Sequence, residues 1–590
     1  RFIHATSGSE LGWRSGTGKW PTYYADSLPP VVNIGPGSPV GVTFGSGARF
    51  PARYQRALYL LDWTFGTMYA IHLTPEGSSY TGVKEEFLSR TPLPLTDAAV
   101  GPDGALYFTI GGRGAQSELY RVTYIGKDST SPVKPAKDKF AAQRQLRRSL
   151  EKFHGHPDPA AVAPALEQLG HPDRHIRYAA RLALEAQPVT EWQKQTLALS
   201  DPTARITGLI GLARQAEASL QDQILSSLLE LDFEQLTNDN RLAMLRAYAL
   251  TFIRQGKPSI DQVALILEQL DDRFPAKDTL LNNELSRLLV YLDSPTVITK
   301  TLALMQQDQA EISNDLGDLL SRNQGYGGTI AKMLANHPDL QKIHYALVLR
   351  NMRYGWTLDQ RKVYFEWFND ALKKNGGASY QGFINNIRSE ALANVSEAEK
   401  RALASTVIAP PPEPEDLPKP KGPGHKWELG ELVTLANAGL AARDFANGKT
   451  MFAAAQCASC HRFDGDGGAT GPDLSNVAGR FSIADLSESL VVPSKVVSDQ
   501  YRGSIILTNS GLLIAGRVVG EQDGVLTVVT DPFDATKIVK IKKDDIDQLR
   551  ASPTSLMPEN LLDKLNGDEV LDLIAYMLSR GNPNDRMFQP

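Results

Sequence analysis

Short runs of alternating apolar and polar residues, separated by turn residues, make up the N-terminal part of the chain. Four of them lie at 40–44, 57–61, 68–72 and 105–109, with Gly, Pro and Asp between them. Period-two alternation bounded by turn residues indicates half-buried β-strands. Asp103-Gly104 is typical of a tight hairpin turn. Residues 1–130 are therefore predicted to form antiparallel β-sheet.

Residues 139–408 change to helical periodicity with almost no strand signal. Pro172 and Pro202 begin two similar helical segments that lie 30 residues apart, and Ile176 and Ile206 occupy equivalent apolar positions within them. Helix pairs repeated at this spacing predict a HEAT-like α-solenoid. Such a unit either offers a binding surface or serves as a spacer between two other domains, and the sequence leaves both interpretations open.

A proline-rich segment, residues 409–425, separates the helical region from the rest of the chain. It contains seven prolines with Lys and Glu between them. Because proline can neither continue a helix nor donate to a sheet, this segment is predicted to be an extended, semi-rigid linker. In polyproline form it would span roughly 50 Å at about 3.1 Å per residue.

The last 165 residues, 426–590, combine two patterns. Apolar positions at helical spacing run from 445 to 452 and again from 561 to 578. Between about residues 500 and 547 the pattern becomes β-like, with predicted strands at 502–508, 512–519, 524–530 and 538–541. A small antiparallel β domain is therefore expected as an insert within a helical domain.

Length and charge narrow the range of functions. A chain of 590 residues suggests about three to five domains. The net charge of −5 and the lack of a basic run argue against nucleic acid as a partner. No apolar stretch approaches the roughly 18 to 20 residues that a membrane span needs. Residue 1 is Arg and there is no signal peptide, so we expect a processed chain or a fragment.

Cys457, Cys460 and His461 form a Cys-x-x-Cys-His motif, the attachment signature of a c-type haem. Each thiol can add to one vinyl group of the porphyrin, and the imidazole can then bind iron from below. The chain has no other cysteine, which disfavours a four-ligand zinc site, and no βαβ pattern surrounds the motif as a thioredoxin-like pair would require. Covalent haem implies assembly outside the cytoplasm, in the periplasm or an equivalent compartment.

The surrounding order of elements resembles a class I cytochrome c. A helix leads into the motif, a turn at 471–474 follows it, and Met557-Pro558 precedes the closing helix. The resemblance implies that His461 and Met557 are the two iron ligands and that Pro472 lies against the haem face. Met451 and Met577 fall on buried helix faces, and a methionine in such a position is more often core than ligand.

The N-terminal strands resemble the last blades of a soluble sugar dehydrogenase type of β-propeller. The resemblance rests on 97–107, on 62–69 and on 8–13, although Arg14 stands where that family has proline. Only two to three blades can be counted, whereas a propeller closes with roughly four to eight. We therefore expect further N-terminal blades outside this chain, which could associate with it.

The same resemblance implies a substrate cleft and, with it, a quinone cofactor in the propeller. By residue type alone, His4, Asp62, His72 and Asp97 are candidates for such a cleft. Polar residues of these kinds more often form turns or end strands. No catalytic residue is assigned from the sequence.

Residues 492–501, the β insert and 555–558 together resemble the planctomycete and verrucomicrobial haem-binding cytochrome c dehydrogenase family. The expected fold is thus multidomain: a partial β-propeller, an all-α HEAT-like solenoid, and a class I cytochrome c fold with an inserted antiparallel β domain. The resemblance implies an extracytoplasmic oxidoreductase with one covalent haem c, the electron-accepting part of a sugar or alcohol dehydrogenase, with a redox protein as partner. The alternative is a non-catalytic electron carrier or scaffold that docks redox partners through its propeller and solenoid.

Overall fold

The computed structural model describes residues 1–12, 20–35, 37–90, 92–112, 115–134, 138–307, 338–372, 374, 380–407, 417–464, 466–468, 470–533 and 537–589. Trp13 and Arg14, which carry part of the propeller resemblance, lie outside the described residues, as do residues 409–416 of the predicted linker. The fold class is confirmed at the level of a multidomain chain with β-sheets and many helices. The propeller and the HEAT-like solenoid stay predictions.

The N-terminal region contains two antiparallel sheets, as the alternation predicts. One has the order β1-β2-β3-β4 and the other the order β5-β6-β7. Apolar side chains of the inner strands, such as Leu61, Met68, Leu95 and Leu106, share one core between the sheets. The elements are β1 Pro39–Phe44, α1 Ala52–Gln55, β2 Leu58–Asp62, β3 Thr67–Glu76, β4 Ser79–Ser89, β5 Leu95–Val100, β6 Leu106–Gly112 and β7 Ala115–Val122.

The middle of the chain is helical throughout its described residues. Its helices are α2 Ala141–Glu151, α3 Val162–Gln168, α4 Arg174–Glu185, α5 Gln193–Leu197, α6 Pro202–Gln215, α7 Gln221–Leu229, α8 Asn238–Gln255, α9 Ile260–Leu270, α10 Thr279–Tyr291, α11 Val297–Gln306, α12 Leu340–Leu349, α13 Leu358–Ala371, α14 Tyr380–Ala393, α15 Glu397–Ala402 and α16 Ala404–Val407. Asp173 caps α4 and Asp201 caps α6 through side-chain hydrogen bonds to the first turn. The two segments aligned in the sequence therefore begin their helices in the same way, and Ile176 and Ile206 are both buried.

A buried ionic cluster joins the N-terminal segment to these helices. Both carboxylate oxygens of Asp26 accept hydrogen bonds from Arg246, each at 2.8 Å. Arg214 lies 3.5 Å from the same carboxylate. Arg174 donates to the carbonyl oxygens of Tyr24 and Ser27. Residues 24–27 are thus held on the helical unit by charge-assisted hydrogen bonds, which are roughly twice as strong as neutral ones.

The C-terminal domain is built around two crossing helices. Its helices are α17 Leu429–Gly439, α18 Phe445–Ala454, α19 Cys457–Cys460, α20 Ile483–Val491 and α21 Gly567–Leu578, with a short β8–β9 hairpin at Arg462–Phe463 and Asp466–Gly467. Where α18 crosses α21, an added Cβ on Gly448 would lie 2.3 Å from the carbonyl oxygen of Asp572. The glycine therefore allows the two backbones to pack at close range.

The closing helix is shorter than the apolar pattern predicts. The expectation was a helix from 561 to 578, but α21 begins at Gly567. Asn566 is its N-cap, and Asn566 and Glu569 form a reciprocal capping box. Glu569 also accepts hydrogen bonds from the backbone N–H groups of Lys421 and Gly422. The end of the predicted linker is thereby fixed to the C-terminal domain.

The inserted sheet is present and has one strand more than predicted. Five antiparallel strands run in the order β13-β12-β11-β10-β14. The strands are β10 Ser504–Thr508, β11 Leu513–Gln522, β12 Val525–Val529, β13 Ile538–Lys542 and β14 Ile546–Ala551. A small core of Ile506, Leu526, Val528 and Ile541 fills its inner face.

None of the helices within the described ranges is both long and apolar enough to cross a lipid bilayer.

Candidate functional site

The Cys-x-x-Cys-His motif begins immediately after α18. Gln456 adopts a left-handed conformation, with φ of 61°, and ends the approach of that helix. Cys457 to Cys460 then form the single turn α19, and His461 leaves it in an extended conformation. The backbone N–H of His461 donates to the carbonyl oxygen of Cys457 at 2.8 Å. This turn brings both thiols and the imidazole to one cavity.

His461 is held by a single directional hydrogen bond. Its Nδ1 lies 2.8 Å from the carbonyl oxygen of Pro472. Because a carbonyl only accepts, Nδ1 carries the proton and Nε2 keeps a free lone pair, which is the arrangement of a metal-ligating histidine. Burial lowers the pKa of the His461 imidazole, while the Pro472 carbonyl and the Asp473 carboxylate oppose that effect. A neutral imidazole is thus favoured.

Gly471 gives the imidazole its space. An added Cβ at this position would lie 2.8 Å from Cε1 and 2.9 Å from Nδ1 of His461. The backbone N–H of Gly471 donates to the carbonyl oxygen of Cys460 at 2.8 Å. The turn at 471–474 therefore fixes the ring from one side, and Pro472 contributes through its backbone carbonyl as well as through its ring.

A cavity of about 520 Å³ lies above this turn. Its volume is within the roughly 300–1,000 Å³ typical of cofactor sites. All five residues predicted to bind haem line it: Cys457, Cys460, His461, Pro472 and Met557. The structure brings these residues together, and their individual roles stay predictions.

Met557 reaches the cavity from an irregular loop between β14 and α21. Its backbone N–H donates to the Ser555 hydroxyl at 3.1 Å, and the Ser555 N–H donates to the Ser494 hydroxyl at 3.1 Å. These bonds tie the loop to the segment that follows α20. Met577 also lines the cavity, but it is buried within α21, and Met451 is buried in the core of the domain. Met557 is therefore the methionine held by a loop rather than by a helix.

The two thiols are not poised as metal thiolates. Burial raises the pKa of the Cys457 thiol to about 12 and also raises that of Cys460. The Cys460 thiol donates to the carbonyl oxygen of Pro532 at 3.1 Å. Protonated thiols bind zinc poorly, and no group of three or more His, Cys, Asp or Glu side chains in the described part of the chain could hold a metal ion. Thioether formation suits these thiols better than metal binding.

Several wall residues of the cavity were not predicted from the sequence. Trp63 and Thr64 come from the β2–β3 hairpin, and Pro532 and Phe533 come from the β12–β13 loop of the insert. Arg480 and Arg517 also line the cavity and place two guanidinium groups where a dicarboxylate cofactor such as haem needs cationic partners. These residues carry no local motif, because only the folded chain brings them to the site.

The polar candidates of the N-terminal region take part in local contacts. The buried Asp62 carboxylate accepts hydrogen bonds from the N–H groups of Ser38 and Thr64, both at 2.9 Å, and so organises the β2–β3 turn. His72 pairs with Glu85 at 2.6 Å and His4 with the Ser79 hydroxyl at 2.9 Å. Asp97 accepts from the backbone N–H that follows it. These contacts match the interpretation of turn-forming and strand-end residues.

A comparison with protein-family models identifies one region of the chain. The model described as Cytochrome c matches residues 445–501, which begin with α18 and include the motif and the 471–474 turn. A search of curated proteins gave no match. The chain therefore contains a cytochrome c domain, and that domain implies a haem-based electron carrier with haem c as its cofactor.

Proposed function

We propose that this protein is an extracytoplasmic c-type cytochrome that transfers electrons through one covalent haem as the electron-accepting part of a sugar or alcohol dehydrogenase. The observation that carries the proposal is the shared cavity. Two protonated thiols, a buried imidazole with a free Nε2 and a loop-held methionine thioether all line the same space. This donor set suits haem c and leaves no thiolate for another metal.

Each residue has a distinct role in this proposal. Cys457 and Cys460 form the two thioether bonds, His461 Nε2 is the lower iron ligand, and the Met557 sulfur is the upper one. Haem supplies one-electron redox chemistry when it is bound. With both axial positions taken by the protein, none is left for O₂ or peroxide, so we infer outer-sphere electron transfer rather than peroxidase chemistry.

Pro472 and the two arginines support the same cofactor. The Pro472 carbonyl fixes the His461 tautomer, and such second-layer hydrogen bonds orient a ligating imidazole and raise its basicity. The guanidinium groups of Arg480 and Arg517 would pair with the two carboxylates of the haem. Covalent haem attachment also supports the extracytoplasmic location, which cell fractionation against a cytoplasmic marker enzyme would test.

A non-catalytic carrier is the second candidate. It is favoured by the local contacts of His4, Asp62, His72 and Asp97, none of which is shown to share a cleft with the others. In this version the N-terminal sheets and the helical unit dock redox partners and contribute no substrate site of their own.

Haem reduction by added substrate separates the two candidates. The oxidised protein would be mixed with sugars and with alcohols, each with and without pyrroloquinoline quinone, while the haem absorbance is followed. We expect reduction that depends on substrate, and a Met557→Ala variant should alter the reduced spectrum while still accepting electrons. If no substrate reduces the haem under either condition, while dithionite does, the carrier function is supported and the dehydrogenase part is wrong.

A further inference from the structure

The tip of the β2–β3 hairpin rests against the C-terminal domain beside the haem cavity. The backbone N–H of Leu93, which lies next to this hairpin, donates to the carbonyl oxygen of Gly479 at 3.1 Å. The guanidinium carbon of Arg480 lies 5.4 Å from the centre of the Trp63 ring. A backbone hydrogen bond and a cation–π contact thus join two regions more than 400 residues apart in the sequence.

Gly479 makes this approach possible. An added Cβ on Gly479 would lie 2.8 Å from the carbonyl oxygen of Thr64, which is closer than real Cβ contacts come. The glycine is buried at the end of a short 3₁₀ turn, Val477–Gly479. Its lack of a side chain allows the hairpin backbone to pack directly on the C-terminal domain.

Trp63 is fixed from its own side as well. Its indole N–H donates to the carbonyl oxygen of Gly111 on β6 at 2.9 Å. Asp62, which precedes it, is fully buried and accepts from the Thr64 N–H. The ring is therefore held by both N-terminal sheets while it also lines the cavity that contains His461 and Met557.

We propose that the Trp63 hairpin completes the haem pocket and that the N-terminal β region thereby sets the redox potential of the haem. Trp63 is a positioning residue in this account, because it covers one side of the pocket together with Thr64 and orients Arg480. The inference rests on the function proposed above, since it requires haem in the cavity.

The physical reason is the exclusion of water. Ferric haem carries one more positive charge than ferrous haem, so a dry pocket disfavours the oxidised form and raises the midpoint potential. Removing the indole would admit water at the pocket wall and would loosen Arg480. The oxidised form then gains stability, and external ligands reach the iron more easily.

The test compares full-length, haem-loaded variants. Trp63→Ala should lower the midpoint potential and speed the binding of imidazole to the ferric haem, while Trp63→Phe, which keeps an aromatic ring, should fall between it and the wild type. Trp356→Ala, in the helical unit, is the matched control and should change neither quantity. The readouts are potentiometric titration and stopped-flow absorbance.

A second pair tests the interface without touching the tryptophan. Gly479→Ala should displace the hairpin and shift both quantities in the same direction as Trp63→Ala. Gly430→Ala is its control, because an added Cβ at Gly430 meets no atom within 4 Å. Unchanged potential and ligand-binding rate in both Trp63→Ala and Gly479→Ala would overturn this inference alone, whereas a wild-type protein without haem would overturn the proposed function as well.

Discussion

At the residue scale, the chemistry depends on which atoms of His461 and Met557 remain available to a metal. The Nδ1 hydrogen bond to Pro472 commits the imidazole to one tautomer, and the serine contacts fix the backbone of the methionine loop. The short motif 457–461 could be read from the sequence because thioether chemistry fixes its spacing. The Pro472 carbonyl as the partner of Nδ1 could not, since it depends on how the 471–474 turn folds back.

Replacing Met557 tests the upper ligand. Met557→Ala should abolish the weak far-red absorbance band of sulfur–iron coordination and lower the midpoint potential, because axial ligands set haem potentials over a range of about 0.8 V. Met587→Ala, outside the cavity lining, is the control and should leave both unchanged. A far-red band that persists in Met557→Ala would assign the upper ligand elsewhere, with Met577 as the next methionine to replace.

At the scale of single elements, patterns with strong periodicity were predicted well and weakly patterned ones were not. Strands β10 to β13 and helix α18 follow from clear alternation or helical spacing. Strand β14 was missed because most of its side chains are exposed, so its sequence has little apolar alternation. The start of α21 was misplaced because the Asn566 cap, rather than the apolar pattern, determines where that helix begins.

The crossing of α18 and α21 gives a stability prediction. Gly448→Ala should destabilise the C-terminal domain by about 1–3 kcal/mol, since the new methyl group overpacks the crossing against the Asp572 carbonyl. In Gly430→Ala the added methyl group meets open space, and alanine in a helix should add up to about 1 kcal/mol instead. Thermal unfolding followed by haem absorbance measures both, and equal melting temperatures for the two variants would contradict the close packing at Gly448.

The β insert contributes a prediction about access to the haem. Phe533 lines the cavity from the β12–β13 loop and is 42% exposed, so Phe533→Ala should open the pocket and speed haem reduction by ascorbate. Phe383→Ala is a matched control, because Phe383 is 43% exposed on a helix outside the cavity lining. Equal reduction rates in the two variants would show that the insert does not restrict access.

At the scale of the whole molecule, contacts between distant segments determine the arrangement, and these escaped prediction. Trp63 with Arg480 and Asp26 with Arg246 are examples, because nothing in the local sequence of either partner points to the other. The kinds of secondary structure along the chain were predictable from periodicity. Their assembly depends on long-range pairs that a single sequence does not reveal.

The Asp26 cluster predicts a pH-dependent stability. Burial would raise the pKa of the Asp26 carboxyl, but the hydrogen bond and charge of Arg246, with the charges of Arg181 and Arg214, hold it below the ordinary value of 3.8. A carboxyl with a depressed folded-state pKa stabilises the fold above its unfolded pKa, and that stability is lost as the pH falls through the folded value. The contribution should therefore be complete at pH 7 and decline only in strong acid.

Asp26→Asn should cost about 3–5 kcal/mol at pH 7, because it leaves the buried Arg246 without its charge partner. The difference from the wild type should shrink below pH 3.8, where the wild-type carboxyl also becomes neutral. Urea unfolding at pH 7 and pH 3 measures it, with the exposed Asp222→Asn as control. A constant difference at both pH values would show that the charge of Asp26 is not what stabilises the contact.

Intact-mass spectrometry combined with a reduced-minus-oxidised visible spectrum tests the central claim most directly. Protein produced with haem-maturation machinery should be heavier than the polypeptide by one haem, should have no thiol that reacts with iodoacetamide, and should give the spectrum of a c-type cytochrome with the far-red sulfur–iron band. A mass equal to that of the bare polypeptide, with Cys457 and Cys460 both alkylated, would contradict the account.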